Sequence, residues 1–114
     1  MKDLLDTFNK ELNYNKYFNQ DIVCFLDIET TGFSRKKNFI YLIGIQYYSQ
    51  STKNWSIRQL FAENINEEKD ILLEFIKLIS NYKKIITYNG DRFDIPFINS
   101  RLLLLGIPYL INKD

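Results

Sequence analysis

Histidine is absent from all 114 residues. That removes histidine-ligated zinc centres, serine–histidine triads and imidazole general bases from the chemistry open to the chain. Cysteine occurs once, as Cys24, so no internal disulfide can form. It falls in the apolar run Ile22-Val23-Cys24-Phe25-Leu26, where a thiol serves as a small core hydrophobe and a reducing, cytoplasmic setting is expected. A surplus of charge is missing too: fifteen basic against fourteen acidic side chains leave a formal charge of +1. This excludes the strongly cationic composition of a histone-like binder and confines any nucleic-acid contact to a local patch. Long hydrophobic runs are also lacking. The longest apolar-looking segment, Phe39 to Ile45, is far short of the roughly 20 residues a membrane-spanning helix needs. The opening Met1-Lys2-Asp3-Leu4-Leu5-Asp6 has no signal-peptide core, so no membrane association is expected.

What is present is a well-patterned apolar set, 46% of residues with 16% aromatic, enough to build the core of one domain. Leu4, Leu5, Phe8 and Leu12 recur at helical spacing before a polar and aromatic stretch from Asn13 to Gln20, so residues 1–20 read as a short amphipathic helix and an arm. A single domain is expected over residues 21–114. Three strands are predicted at Ile22 to Ile28, Phe39 to Tyr48 and Trp55 to Phe61, each rich in β-branched or aromatic residues. The polar segment Ser49 to Asn54 makes the last two a hairpin. Asn66-Glu67-Glu68-Lys69 reads as an N-cap with acids in the first turn of a helix carrying Ile71, Leu72, Phe75, Ile76, Leu78 and Ile79. A fourth strand follows at Ile85 to Tyr88, and then a helix with Pro96 in its first turn, stopped by Gly106 and Pro108. The order α-β-β-β-α-β-α predicts an α/β fold, a mixed sheet with flanking helices. In it the helical crossover makes strands one and four parallel, with a right-handed connection.

Two acidic motifs stand where buried strands give way to loops: Asp27-Ile28-Glu29-Thr30-Thr31-Gly32 and Asn89-Gly90-Asp91-Arg92-Phe93-Asp94-Ile95-Pro96-Phe97. Residues two apart on a strand share a face, so Asp27 and Glu29 point to the same side at the strand's end. Asp94 can reach that edge if its preceding strand lies beside the first. Singly, each acid reads as ordinary turn polarity, and Asp94 as a helix N-cap. Jointly, three carboxylates at the border of a core require compensation, and oxygen donors select a hard cation, magnesium or manganese. Without it they repel, leaving some partly protonated at neutral pH. Open α/β sheets also bind ligands outside their strand ends.

These motifs resemble the first and second motifs of the DEDD-type 3′→5′ exonucleases of the ribonuclease H-like superfamily, within a branch of predicted exonucleases from bacterial proteins. The likeness runs from about Asp21 onward. It implies a ribonuclease H-like fold and a two-ion site of Mg²⁺ or Mn²⁺, in which Asp27 bridges the ions, Glu29 holds one and Asp94 helps hold the other. It implies that Thr30, Phe33 and Asn89 lie on the substrate side, with Thr30 and Phe33 against the terminal nucleotide of a single-stranded or 3′-ended nucleic acid. The family pattern also needs a fourth aspartate from a third motif, with a tyrosine or histidine to position water. Asp114 follows Asp94 too soon to supply it. A C-terminally incomplete domain is therefore expected, with weak metal binding and little nuclease activity of its own, and with an open edge beside the fourth strand that predicts self-association as a homodimer. Arg35-Lys36-Lys37 reads either as a guide for a phosphate backbone or as a solvated loop. A second reading of the whole is a non-catalytic module, binding nucleic acid or protein, that keeps the ribonuclease H-like shape.

Overall fold

The structure is a computed structural model that describes residues 23–87 and 93–112. The expected N-terminal helix and arm lie outside these residues, as do Tyr88 and Asn89. Four strands form one mixed sheet in the order β3-β2-β1-β4. Strands β1 (Val23–Thr30), β2 (Ile40–Ser49) and β3 (Asn54–Phe61) make an antiparallel meander. Helix α1 (Glu68–Ile79) crosses from β3 to β4 (Lys84–Thr87), which pairs in parallel with β1 as the order of elements predicts. Helix α2 (Ile95–Leu104) follows. No helix among the described residues is long and apolar enough to cross a membrane.

Alternation along each strand decides which residues enter the core. Cys24, Leu26 and Ile28 of β1, Ile43 and Ile45 of β2, Leu60 of β3 and Ile85 of β4 join one buried cluster. The same cluster takes in Ile71, Leu72, Phe75 and Ile79 of α1 and Phe97, Ile98 and Leu102 of α2. Removing each such side chain from water stabilises the fold by about 1.5–3 kcal/mol. The intervening residues of β1 point the other way: the ring of Phe25 meets Trp55 edge-on at 6.1 Å, and Asp27 and Glu29 follow on that face.

Two local features depart from sequence expectation or escape it, and a third agrees with it. Asn64, rather than Asn66, does the capping: its side chain accepts from the Asn66 N–H at 2.9 Å and starts a short 3₁₀ turn, Ile65–Glu67, that leads into α1. A register shift at Glu29/Thr30 places Thr30 opposite Ile40 while Glu29 faces Leu42, so Tyr41 is an extra residue in β2. This bulge brings Ile40 to the core side, fully buried. Helix α2 ends in a Schellman turn, in which Ile107 N–H reaches the Leu102 carbonyl at 2.9 Å and Gly106 N–H that of Leu103 at 3.1 Å. Gly106 sits at φ 72°, the left-handed conformation this turn requires, as its stop position in the sequence implies.

Candidate functional site

Asp27 and Glu29 stand at the C-terminal end of β1, the first half-buried and the second exposed. Asp27 is paired with Gly44 of β2, which has no side chain to rise beside it. Because β4 lies next to β1 and runs parallel to it, the chain leaving β4 emerges at the same end of the sheet, and α2 begins there.

Asp94 is the residue before that helix, and it is only 3% exposed. Its backbone is already helical (φ −63°, ψ −55°) and its side chain makes no capping bond, which sets aside the N-cap reading. An N-cap needs an extended backbone to aim its oxygen at the first free N–H groups. Instead Oδ2 is buried without a hydrogen-bond partner. Burial, and after it the charges of Asp27 and Glu29, push the Asp94 carboxyl up to about 7 from its ordinary 3.8. The three acids singled out in the sequence thus share one electrostatic environment. Among the described residues, no group of three or more acidic or cysteine side chains is gathered into a ready-made cation cage. The donor set nevertheless fits a hard cation: the oxygens are all carboxylate, one is buried and orphaned, and their mutual repulsion is what an added positive charge would relieve.

The loop after β1 forms the wall beside these acids. Thr30 Oγ1 donates to the Gly32 carbonyl at 2.7 Å. Thr31 is fastened to Phe39 twice, its N–H donating to the Phe39 carbonyl at 3.0 Å and its Oγ1 accepting the Phe39 N–H at 3.1 Å. Asn38 folds back across the loop, accepting the Ser34 N–H at 3.0 Å. Its amide lies where a Cβ on Gly32 would stand, at 2.6 Å, so any side chain at position 32 would have to displace it. A cleft of about 380 Å³ opens between residues 28–33 and Phe93. On its rim Phe33 is 89% exposed and meets Phe93 edge-on at 6.2 Å. Phe93 in turn rests on the buried Phe97 at 5.3 Å. Thr30 and Phe33 therefore line the cleft next to Glu29, while Asn89 lies outside the described residues. Arg35, Lys36 and Lys37 are exposed farther along the loop.

One constellation was not foreseen. Glu68 is fully buried and Arg101 is 4% exposed. They form a two-bond ion pair, Arg101 Nη2 to Glu68 Oε1 at 2.6 Å and Nε to Oε2 at 2.9 Å. Glu68 Oε2 also accepts the Ile40 N–H at 2.9 Å, and Arg101 Nη1 donates to the carbonyls of Arg35 at 3.1 Å and Lys36 at 3.3 Å. In the sequence Glu68 reads as a dipole-favoured acid of a first turn. The signal that points inward is spacing: Glu68 precedes Ile71 and Leu72 by three and four residues, and Arg101 follows Ile98 and Phe97 by the same steps, so each charge sits on its helix's apolar stripe.

Among known proteins, the chain is similar to several DNA polymerases. It is 32% identical over 94 residues to DNA polymerase 1 of Sulfurisphaera ohwakuensis, covering 78% of this chain and 10% of that protein. It is 37% identical over 47 residues to DNA polymerase 1 of Aeropyrum pernix, 41% of this chain and 5% of that protein. With a DNA polymerase of Methanocaldococcus jannaschii it shares 36% over 52 residues, 46% of this chain and 3% of that one. The chain thus spans a tenth or less of the length of these relatives. Residues 24–113 match the family model described as the RNase H superfamily, a stretch that takes in β1, the acidic end of the sheet and α2. Sheet order, carboxylate placement and this match together make the chain a member of the RNase H superfamily.

Proposed function

We propose that this domain is a nuclease of the DEDD type, removing nucleotides from the 3′ end of a nucleic acid with the help of divalent cations. The observation that carries the proposal is Asp94: a buried carboxyl with an orphaned oxygen, raised to about 7 by its burial and by two further acids on the neighbouring strand. A structural acid finds a donor. This one is arranged to exchange a proton for a metal ion.

Asp27, Glu29 and Asp94 are the residues that would hold Mg²⁺ or Mn²⁺, two ions in the complete site. Such ions, when bound, polarise the phosphodiester and lower the pKa of an attacking water. The remaining tasks fall to the chain's own groups. Phe33, exposed on the cleft rim and backed by Phe93 and Phe97, offers a ring for the terminal base to stack on. Thr30 fixes the turn beside Glu29 through its bond to Gly32. Arg35, Lys36 and Lys37 present positive charge to the strand leading into the cleft. The hydrolysis breaks the bond between phosphorus and the 3′-oxygen while water adds to phosphorus, leaving a 5′-mononucleotide and a new 3′-hydroxyl. Similarity to DNA polymerases supports a nucleic-acid substrate.

The test measures stepwise shortening of 5′-labelled single-stranded DNA and RNA by the protein in Mg²⁺ and Mn²⁺. Ladders that lose one nucleotide at a time, and vanish with Asp27→Asn, are expected. Nucleic-acid binding without any metal-dependent cleavage would replace the proposal with a non-catalytic binding module.

A further inference from the structure

Two motifs far apart in sequence must be held at a fixed separation for three carboxylates to share a cation, and the sheet alone does not fix α2 against the loop that leaves β1. Beside the packing of α2 in the core and the Phe33–Phe93 contact, the hydrogen bonds that tie α2 to that loop come from Arg101, which is paired with Glu68. We infer that this buried pair is a positioning device for the site proposed above: it latches the basic loop at Arg35–Lys36 and the first residue of β2 onto α2, and so sets Asp94 against Asp27 and Glu29. The inference rests on that reading of the site.

The geometry gives each bond a distinct task. Arg101 lies seven residues after Asp94, two turns farther along the same helical face and about 10 Å along the axis. Its guanidinium is planar, so pairing with Glu68 through Nε and Nη2 leaves Nη1 directed elsewhere. That group takes the two loop carbonyls, turning the peptide oxygens of Arg35 and Lys36 inward. Their side chains are left on the surface, lining with Ser100, Leu103 and Leu104 a groove of about 290 Å³ between the loop and α2. Glu68 meanwhile accepts the Ile40 N–H beside the bulge, fixing where β2 begins and therefore where the loop ends. The latch thus joins the loop after the first motif, the start of β2, the start of α1 and the helix that follows the second motif. A lysine at 101 would keep the charge but has a point-like head without the planar fork, and cannot reproduce the pair and both carbonyl bonds together.

The experiment compares the parent chain with Arg101→Lys, and with the double change Glu68→Met and Arg101→Met, which removes both charges at once and spares the fold the cost of one buried unpaired ion. Whichever variant retains a cooperative thermal transition is then studied well below its midpoint. Amide exchange over residues 35–41 is measured alongside binding of a single-stranded oligonucleotide in EDTA. For cleavage of the same oligonucleotide, kcat and KM are measured in Mn²⁺. Faster exchange in the loop with unchanged protection in α1, oligonucleotide affinity lowered by roughly tenfold, and kcat lowered by up to about a hundredfold are expected, since an ångström-scale displacement of reacting groups has effects of that size. A folded variant with parental loop exchange and parental affinity would overturn the inference while leaving the proposed activity standing. A parent that binds no oligonucleotide would overturn both.

Discussion

Replacing Asp94 by asparagine removes a charge without changing shape, and the structure gives the sign of the effect on stability and an upper bound on its size. The folded chain holds the Asp94 proton up to about 7, whereas the ordinary value is 3.8. Below about pH 4 both folded and unfolded chains are protonated and the group contributes nothing. Between about pH 4 and pH 7 the folded state binds a proton that the unfolded state releases, so stability falls as pH rises, and above that range the full penalty is present. The difference between the two values sets a ceiling of roughly 4 kcal/mol. Burial is the larger cause, and only the smaller repulsive part is screened by water around the exposed Glu29 and half-buried Asp27, so about 3 kcal/mol is the better expectation. Urea denaturation in EDTA at several pH values measures it: Asp94→Asn should match the parent near pH 4 and exceed it by about that margin at pH 8. Mn²⁺ should reverse the order at pH 8, stabilising the parent with the logarithm of its concentration above Kd and leaving the variant where it was. Parent and variant curves that run parallel from pH 4 to pH 8 would refute the reasoning, because they would mean that neither burial nor the neighbouring charges raise the Asp94 carboxyl.

Breaking one half of the buried latch, with Glu68→Gln or Arg101→Met, should cost about 3–5 kcal/mol in denaturant. Separating the surface pair Arg58–Glu74, at 3.2 Å with both side chains well exposed, should cost less than about 1 kcal/mol in the same assay. Gly32→Ala should leave the thermal midpoint nearly unchanged while speeding amide exchange at Ser34 and Asn38, because the new methyl displaces the Asn38 amide. Phe33→Ala should leave stability unaltered and weaken single-stranded oligonucleotide binding by about 1–3 kcal/mol, measured by fluorescence anisotropy. The chain should self-associate at high concentration through the β4 edge or its neighbouring helix, read by light scattering; a strict monomer with that edge solvated would reject the pairing.

The strands and helices were legible because each carries a single periodicity. Ile71, Leu72, Phe75 and Ile79 repeat at helical spacing, and Cys24, Leu26 and Ile28 alternate, so burial and pattern agree. The carboxylates were legible for the opposite reason, as charges at the borders of apolar runs. The bulge at Tyr41 was not, since every residue around it is apolar and period two is invisible there. Nor was the latch: Glu68 and Arg101 are separated by 33 residues, and only tertiary packing reveals that each helix turns a charge inward to meet the other. Asp94 was half legible. Its acidity and place were read from the motif, but its helical backbone and orphaned oxygen depend on tertiary packing that the motif does not carry.

The pairing of β4 with β1 has a kinetic consequence. Val23 aligns with Lys84, so this contact closes a loop of some sixty residues, whereas the meander is stitched from neighbours in sequence. Chain closure over such a span is entropically expensive and slow. The meander is therefore expected to nucleate first and the parallel strand to dock late, bringing α2 with it. Asp94 then reaches its two companions only with that late docking, so the repulsion among the three carboxylates bears on the step that completes the sheet and leaves formation of the meander untouched.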